Sequence, residues 1–184
     1  FVDLDGNRYV AIGTDKFLLL YFEGQLFDIT PVKTTLTAAT LATTSGSPIC
    51  TITKASHGLN VGDIVQFNNV TLPGGTGYTA ADFEDKNFQV TSVTSTSVFT
   101  ITQSSNATAT VSTGGSIDLI PYEPVGPGAQ SYGYGWGIDG WSDGAWGEAA
   151  SASDVTLEPG LWSLDNFGEV LIATIANGKT FTWN

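Results

Sequence analysis

Five short stretches carry residue types that could do chemistry, and each has a spacing problem. The chain of 184 residues has one histidine and one cysteine. His57, in Ser56-His57-Gly58-Leu59, therefore cannot join a multi-histidine metal site. In that run it is expected to cap a turn. Cys50 sits in the strand-like run Ile49-Cys50-Thr51-Ile52-Thr53. Alone, it forms no internal disulfide and no cysteine-based metal site, and a small buried thiol is expected. Asp3-Leu4-Asp5-Gly6-Asn7 has the first half of a calcium loop, but the position that needs a bidentate acid is Thr14. Gly135-Trp136-Gly137-Ile138-Asp139-Gly140 satisfies G-x-G-x-x-G. That pattern holds a pyrophosphate only between a strand and a helix N-terminus, and here more Gly and Trp follow. Gly178-Lys179-Thr180 has the ending of a phosphate-binding loop, but the earlier glycine would fall at Ala173 and the run reads as a hairpin turn. No catalytic residue, metal ligand or cofactor is expected, and the chain reads as a protein that is not an enzyme.

The aromatic run has more to offer. Tyr132, Tyr134, Trp136, Trp141 and Trp146 lie in a Gly-rich stretch where the tryptophans recur every five residues. Asp139, Asp143 and Glu148 are interleaved with them. Trp and Tyr are typical anchors of protein interfaces, so these five are the candidate interface residues. A Gly-aromatic loop folded on its own scaffold is the structural reading, each Gly letting backbone pass close to a ring. A stacking platform for sugar rings is the third. Paired carboxylates beside the rings also permit a glycosidase, whose test is their separation in space.

The elements that must position these residues are strands. Thr, Ser, Gly, Val and aromatics dominate, there is no Met, and Lys, Arg and Glu are scarce. Thr, Val, Ile and aromatics suit a half-buried pleated surface. The 22 Gly and 7 Pro supply turns between short strands. The fold class is expected to be all-β. A net charge of −12, from 18 acidic against 6 basic residues, leaves no cluster of cations to grip phosphates. Such a surface suits solubility, or lets DNA pass without sticking. No apolar run approaches a membrane span and no signal-peptide pattern is present. With no initiator Met and strand-like sequence at both ends, the chain reads as a segment of something longer.

Four zones follow. Residues 1–35 are a first framework unit, with a hairpin around Glu23-Gly24 between apolar runs. Residues 160–184 repeat that plan. Setting Gly24 over Gly178 overlies residues 17–22 on 171–176, and a repeated strand unit of this kind is how a propeller blade reads. Residues 36–120 form an inserted small β-barrel or sandwich, with strands expected at Ile49–Thr53, 63–67, 88–93, Val98–Thr102 and 108–113. Residues 121–159 are the Gly/Trp-rich loop, too long to be a mere connection.

Ala55-Ser56-His57-Gly58-Leu59-Asn60-Val61-Gly62-Asp63-Ile64-Val65-Gln66-Phe67, followed by Asn87-Phe88-Gln89-Val90-Thr91-Ser92-Val93 and Val98-Phe99-Thr100-Ile101, resembles a small β module of phage virion proteins. The module is also similar to the β domain named after the first catalytic cysteine half-domain of ubiquitin-activating enzymes. That resemblance confers no ubiquitin chemistry on Cys50. Tyr9-Val10-Ala11-Ile12-Gly13-Thr14, Leu26-Phe27-Asp28-Ile29-Thr30-Pro31, the Gly-Trp loop and Trp162-Ser163-Leu164-Asp165-Asn166-Phe167-Gly168-Glu169 look like tail proteins of short-tailed phages. The best-known relatives by architecture are the nozzle, or tail tubular, proteins. The resemblance implies a virion structural protein in the phage tail, acting in tail assembly and DNA passage. It implies a homo-oligomeric ring of copies, a hexamer as in nozzle relatives. It also implies contacts with adaptor, portal and tail-fibre proteins and non-specific passage of double-stranded DNA. The alternative is a carbohydrate-binding or adhesin-like module that uses the aromatic loop.

Overall fold

The computed structural model describes residues 2–3, 5–124, 162–175 and 178–183, and the chain is all-β. The first strands are β1 (Val10–Gly13), β2 (Leu18–Phe22) and β3 (Gln25–Asp28). Seven follow: β4 (Leu36–Thr43), β5 (Ile49–Thr53), β6 (Ile64–Thr71), β7 (Asn87–Gln89), β8 (Ser92–Ser95), β9 (Val98–Thr102) and β10 (Val111–Pro121). The last are β11 (Trp162–Phe167), β12 (Val170–Ile175) and β13 (Thr180–Trp183). Helical structure among the described residues is a single 3-10 turn at Ala80–Asp82. The chain divides into two compact units, residues 30–123 and residues 1–29 with 124–184.

The unit of residues 30–123 is one antiparallel sheet in the order β7-β6-β10-β4-β5-β9-β8. Its two edge strands are consecutive in the chain, separated only by Val90 and Thr91. Val90 N–H donates to Asp63 O at 2.9 Å and Val90 O accepts Gly62 N–H at 2.9 Å. Thr91 N–H donates to Thr100 O at 2.9 Å. The stretch thus crosses from β6 to β9, and the sheet curls until its two edges share one segment. Such curling leaves only the short strands β7 and β8 as edges, which limits the exposed edge that makes a small sheet prone to aggregate.

Alternation explains the core. Cys50 and Ile52 of β5 and Phe99 and Ile101 of β9 point inward, while their Thr neighbours point out. Val65, Phe67, Ile117 and Leu119 meet them from β6 and β10, and Phe83 closes the end of the curl. The Phe67 ring lies 6.0 Å from Phe83 and 5.1 Å from Phe88. Burying each large side chain contributes roughly 1.5–3 kcal/mol.

Two strand expectations change. The single strand at 88–93 is two strands, β7 and β8, because Val90 and Thr91 hand the chain between neighbours. The strand at 108–113 begins only at Val111. Thr108 is held in a loop, its N–H donating to Thr76 O at 3.0 Å and its hydroxyl to Gly75 O at 3.3 Å. The beginning and end of the unit run side by side: Glu123 N–H donates to Pro31 O at 2.8 Å and Lys33 N–H to Pro121 O at 2.7 Å.

The other unit contains two three-stranded antiparallel sheets, β1-β2-β3 and β11-β12-β13. They share one plan but not the register that Gly24 over Gly178 implies. Leu18 and Leu20 are the inward residues of β2, as Leu171 and Ala173 are of β12. The glycine alignment would set Leu20 over Thr174, one residue out. Phe22 pairs with Gln25 across Glu23-Gly24, whereas Ile175 N–H donates to Lys179 O, a loop one residue longer. Side chains alternate along a strand, so that single residue decides which face is buried. Gly13 closes against the second sheet: a Cβ there would lie 2.6 Å from Trp162 Cβ.

Candidate interaction surface

Tyr132, Tyr134, Trp136, Trp141 and Trp146 lie outside the described residues. The other motif residues have structural duties. His57 is buried, its Nδ1 accepting Leu59 N–H at 3.0 Å and its Nε2 sitting 3.0 Å from Ser95 O. Because Nδ1 accepts, the proton is on Nε2 and is donated to Ser95. The ring packs 5.1 Å from Phe99, so the histidine fastens a turn to the core. Cys50 is fully buried, and burial pushes its thiol up to about 11.

The Asp3 carboxylate accepts Asn7 N–H and Asn7 Nδ2 at 2.8 Å and Tyr9 OH at 3.2 Å. The Asn7 side-chain bond is the main cause holding Asp3 below the usual carboxylate range. Its oxygens close a turn. Gly178 N–H donates to Ile175 O at 2.9 Å between β12 and β13, so the run before Thr180 is a hairpin connection. Among the described residues, no three His, Cys, Asp or Glu side chains gather as a metal site would require.

One surface is out of keeping with a small sheet in water. Val10 pairs with Tyr21 and Tyr21 with Leu26, while Ile12 pairs with Leu19 and Leu19 with Asp28. Paired residues share a face, and so do residues two apart on a strand. Val10, Ile12, Leu19, Tyr21 and Leu26 therefore form one face, opposite the inward Leu18 and Leu20. Val10 is 55 % exposed, Ile12 39 %, Tyr21 43 % and Leu26 59 %. A half-covered antiparallel sheet ordinarily turns a polar face to solvent. Contiguous exposed apolar surface marks a contact site.

The companion sheet supplies the contrast. The corresponding face of β11-β12-β13 carries Ser163, Thr174 and Thr180 in one row and Asp165, Ile172 and Thr182 in the next. The Thr174 and Thr180 hydroxyls lie 3.0 Å apart and share a hydrogen bond. One plan thus carries polar rows that end in an exposed Phe167, paired with Val170, in one sheet and an apolar outer face in the other. A sequence signal for the apolar face exists: residues 17–22, Phe-Leu-Leu-Leu-Tyr-Phe, do not alternate, as expected of a strand covered on both sides.

Charges flank the apolar face. Arg8 is exposed and lies two residues before Val10, on its side of the sheet, because the intervening Tyr9 ring stacks at 4.6 Å on Phe22 behind it. Asp28 ends the face on β3. The fold and this surface define an all-β protein whose described residues offer a contact face. No family model matches the chain, and no curated protein matches it. Among solved structures the chain is similar to a phage phi92 endosialidase, with a TM-score of 0.39 and 21% identity, over 65% of this chain and 18% of that one. This chain therefore spans under a fifth of that protein's length. No helix among the described residues is long and apolar enough to cross a membrane.

Proposed function

We propose that the chain is a structural part of a phage virion tail, a segment of a nozzle or hub subunit that works by protein contact and not by catalysis. The observation that carries this reading is the solvent-facing apolar side of β1-β2-β3, a surface that makes physical sense only when something covers it. The resemblance of residues 55–67 and of the end segments to phage tail proteins supplies the setting. Two sheets of one plan at the chain ends agree with a propeller-like framework carrying the module of residues 30–123.

Partners in this reading are further copies of the chain in a ring, six-fold in the nozzle arrangement, together with adaptor, portal and tail-fibre proteins. A net charge of −12 suits a wall past which double-stranded DNA moves without being held. The test is immunogold labelling of particles made by the genome that encodes the chain, using antibody raised against residues 30–123. Gold on the tail is the expected result. Purified particles that carry none of the protein would sink the proposal.

A further inference from the structure

We propose that His57 is a pH-sensitive latch, whose protonation at Nδ1 releases the turn of residues 56–62 and lifts Leu59 out of the core. The turn needs fastening, because three of its seven residues are left-handed: Ser56 with φ 52°, Gly58 with 62° and Gly62 with 94°. For Ser56, which carries a Cβ, that region has a steric penalty. His57 supplies much of the fastening. Its Nδ1 accepts Leu59 N–H at 3.0 Å, its Nε2–H donates to Ser95 O at 3.0 Å, and its backbone N–H donates to Thr96 O at 3.3 Å. The ring is buried, and so is Leu59, which belongs to the same core as Phe99.

A second proton on the ring has only Nδ1 to go to. It turns the acceptor of Leu59 N–H into a donor, so two N–H groups oppose each other and the amide loses its partner. It also places a charge where no counter-ion stands. The ring meets Ser95 O on β8 and the Phe99 ring on β9, and residues 87–102 hold no titratable side chain. Strand β6 holds none either. On β5 the titratable group is Cys50, buried as a neutral thiol. The charged groups of the His57 segment itself bond elsewhere: Lys54 Nζ donates to Thr37 O, and Asp63 Oδ2 accepts Asn60 N–H at 2.9 Å. A buried cation without a carboxylate is unfavourable, and opening the turn to water relieves it. Histidine changes charge between about pH 5 and 8, so the latch is shut in neutral solution and released in mild acid. The inference does not depend on the tail reading.

Amide exchange of the 184-residue chain, read by NMR at about pH 7.5 and about pH 5 and corrected for intrinsic rates, tests the latch. The Leu59 amide should lose protection by at least about tenfold at the lower pH, in step with the titration of the His57 ring signals, while the Ile52 amide stays as it was. His57→Asn puts a non-titrating acceptor oxygen where Nδ1 stood, and there Leu59 protection should be equal at both pH values. Asp63→Asn removes the acid of the same turn and should behave as wild type, which keeps the test decisive if the asparagine at 57 does not hold the turn. An imidazole that is charged at about pH 5 while Leu59 stays protected would overturn the proposal, as would a ring that stays neutral there. So would a loss of protection that persists in a folded His57→Asn chain, or one that disappears in Asp63→Asn.

Discussion

The carboxylate of Asp118 on β10 accepts the backbone N–H of Ala38 on β4 at 3.1 Å, and Ala38 holds a left-handed conformation with φ 59°. The other carboxylate oxygen accepts Asn69 Nδ2 at 2.8 Å, and Asn69, on β6, is left-handed too, with φ 48°. One side chain on the strand between them thus pins an irregularity in each neighbour, at the place where the β10 pairings shift register. Asp118→Ala should lower the unfolding free energy by about 1–2 kcal/mol, a charged hydrogen bond being lost on each side. Ala38→Gly should raise it by about 0.5–1 kcal/mol, because only glycine adopts that φ without a steric penalty. Urea titrations of the two variants check both signs.

Gly13 is a second close approach. Its missing side chain leaves room for Trp162, so Gly13→Ala should destabilise the sheets at the chain ends by about 1–3 kcal/mol through overpacking. Gly6 has open space where a Cβ would go, but its φ of 86° adds strain of its own, so it is no control. Gly74 has open space and no such φ, and Gly74→Ala should be nearly neutral. Thermal melts of the two alanine variants separate packing from a general effect of the added methyl.

Cys50 reports on the closed sheet. With its thiol buried and pushed up to about 11, it should resist a thiol-specific reagent at pH 8 in the native state. Labelling should proceed only as fast as the sheet opens, and should accelerate across the urea transition. Rapid labelling without denaturant would mean that the core between β5 and β9 is not shut.

Acid should weaken the 3-10 turn. Thr79 N–H and its hydroxyl donate to Asp82 Oδ2 at 2.7 and 2.9 Å, and the backbone bond is the larger cause lowering the Asp82 carboxyl from its ordinary 3.8. A carboxyl lowered by folding contributes stability that is complete above its unfolded value and is lost as pH falls through the folded one. The stabilisation should therefore be flat above about pH 5 and decline below pH 4. In Asp82→Asn that part of the acid decline should be absent, measured as urea midpoints between pH 2 and 6.

How much could be read in advance differs by element. The strands Ile49–Thr53 and Val98–Thr102 were legible because Cys50, Ile52, Phe99 and Ile101 alternate with polar neighbours. The strand Leu36–Thr43 was not, since of its inward positions Ala39, Leu41 and Thr43 only Leu41 is a large apolar residue, and strands flank all three on both sides. Closure by Val90 and Thr91 was hidden for another reason: pairing partners are set by the whole sheet and leave no local mark. The one-residue slip between the two end sheets arose from the loop after Ile175, whose length the glycine alignment took to equal that of Glu23-Gly24. The contact face on β1-β2-β3 left a signal in the unbroken apolar run 17–22, whereas the aromatic residues singled out by composition, Tyr132 through Trp146, lie outside the described residues.

That the outer face of β1-β2-β3 is a contact surface is tested most directly by amide hydrogen exchange on the free chain and on the same chain within its assembled particle. Peptides covering Val10–Gly13 and Leu18–Phe22 should exchange at least about tenfold more slowly in the particle, while the core strand Ile49–Thr53 should be unchanged. Equal exchange of β1 and β2 in the two states would contradict the assignment of that face to assembly.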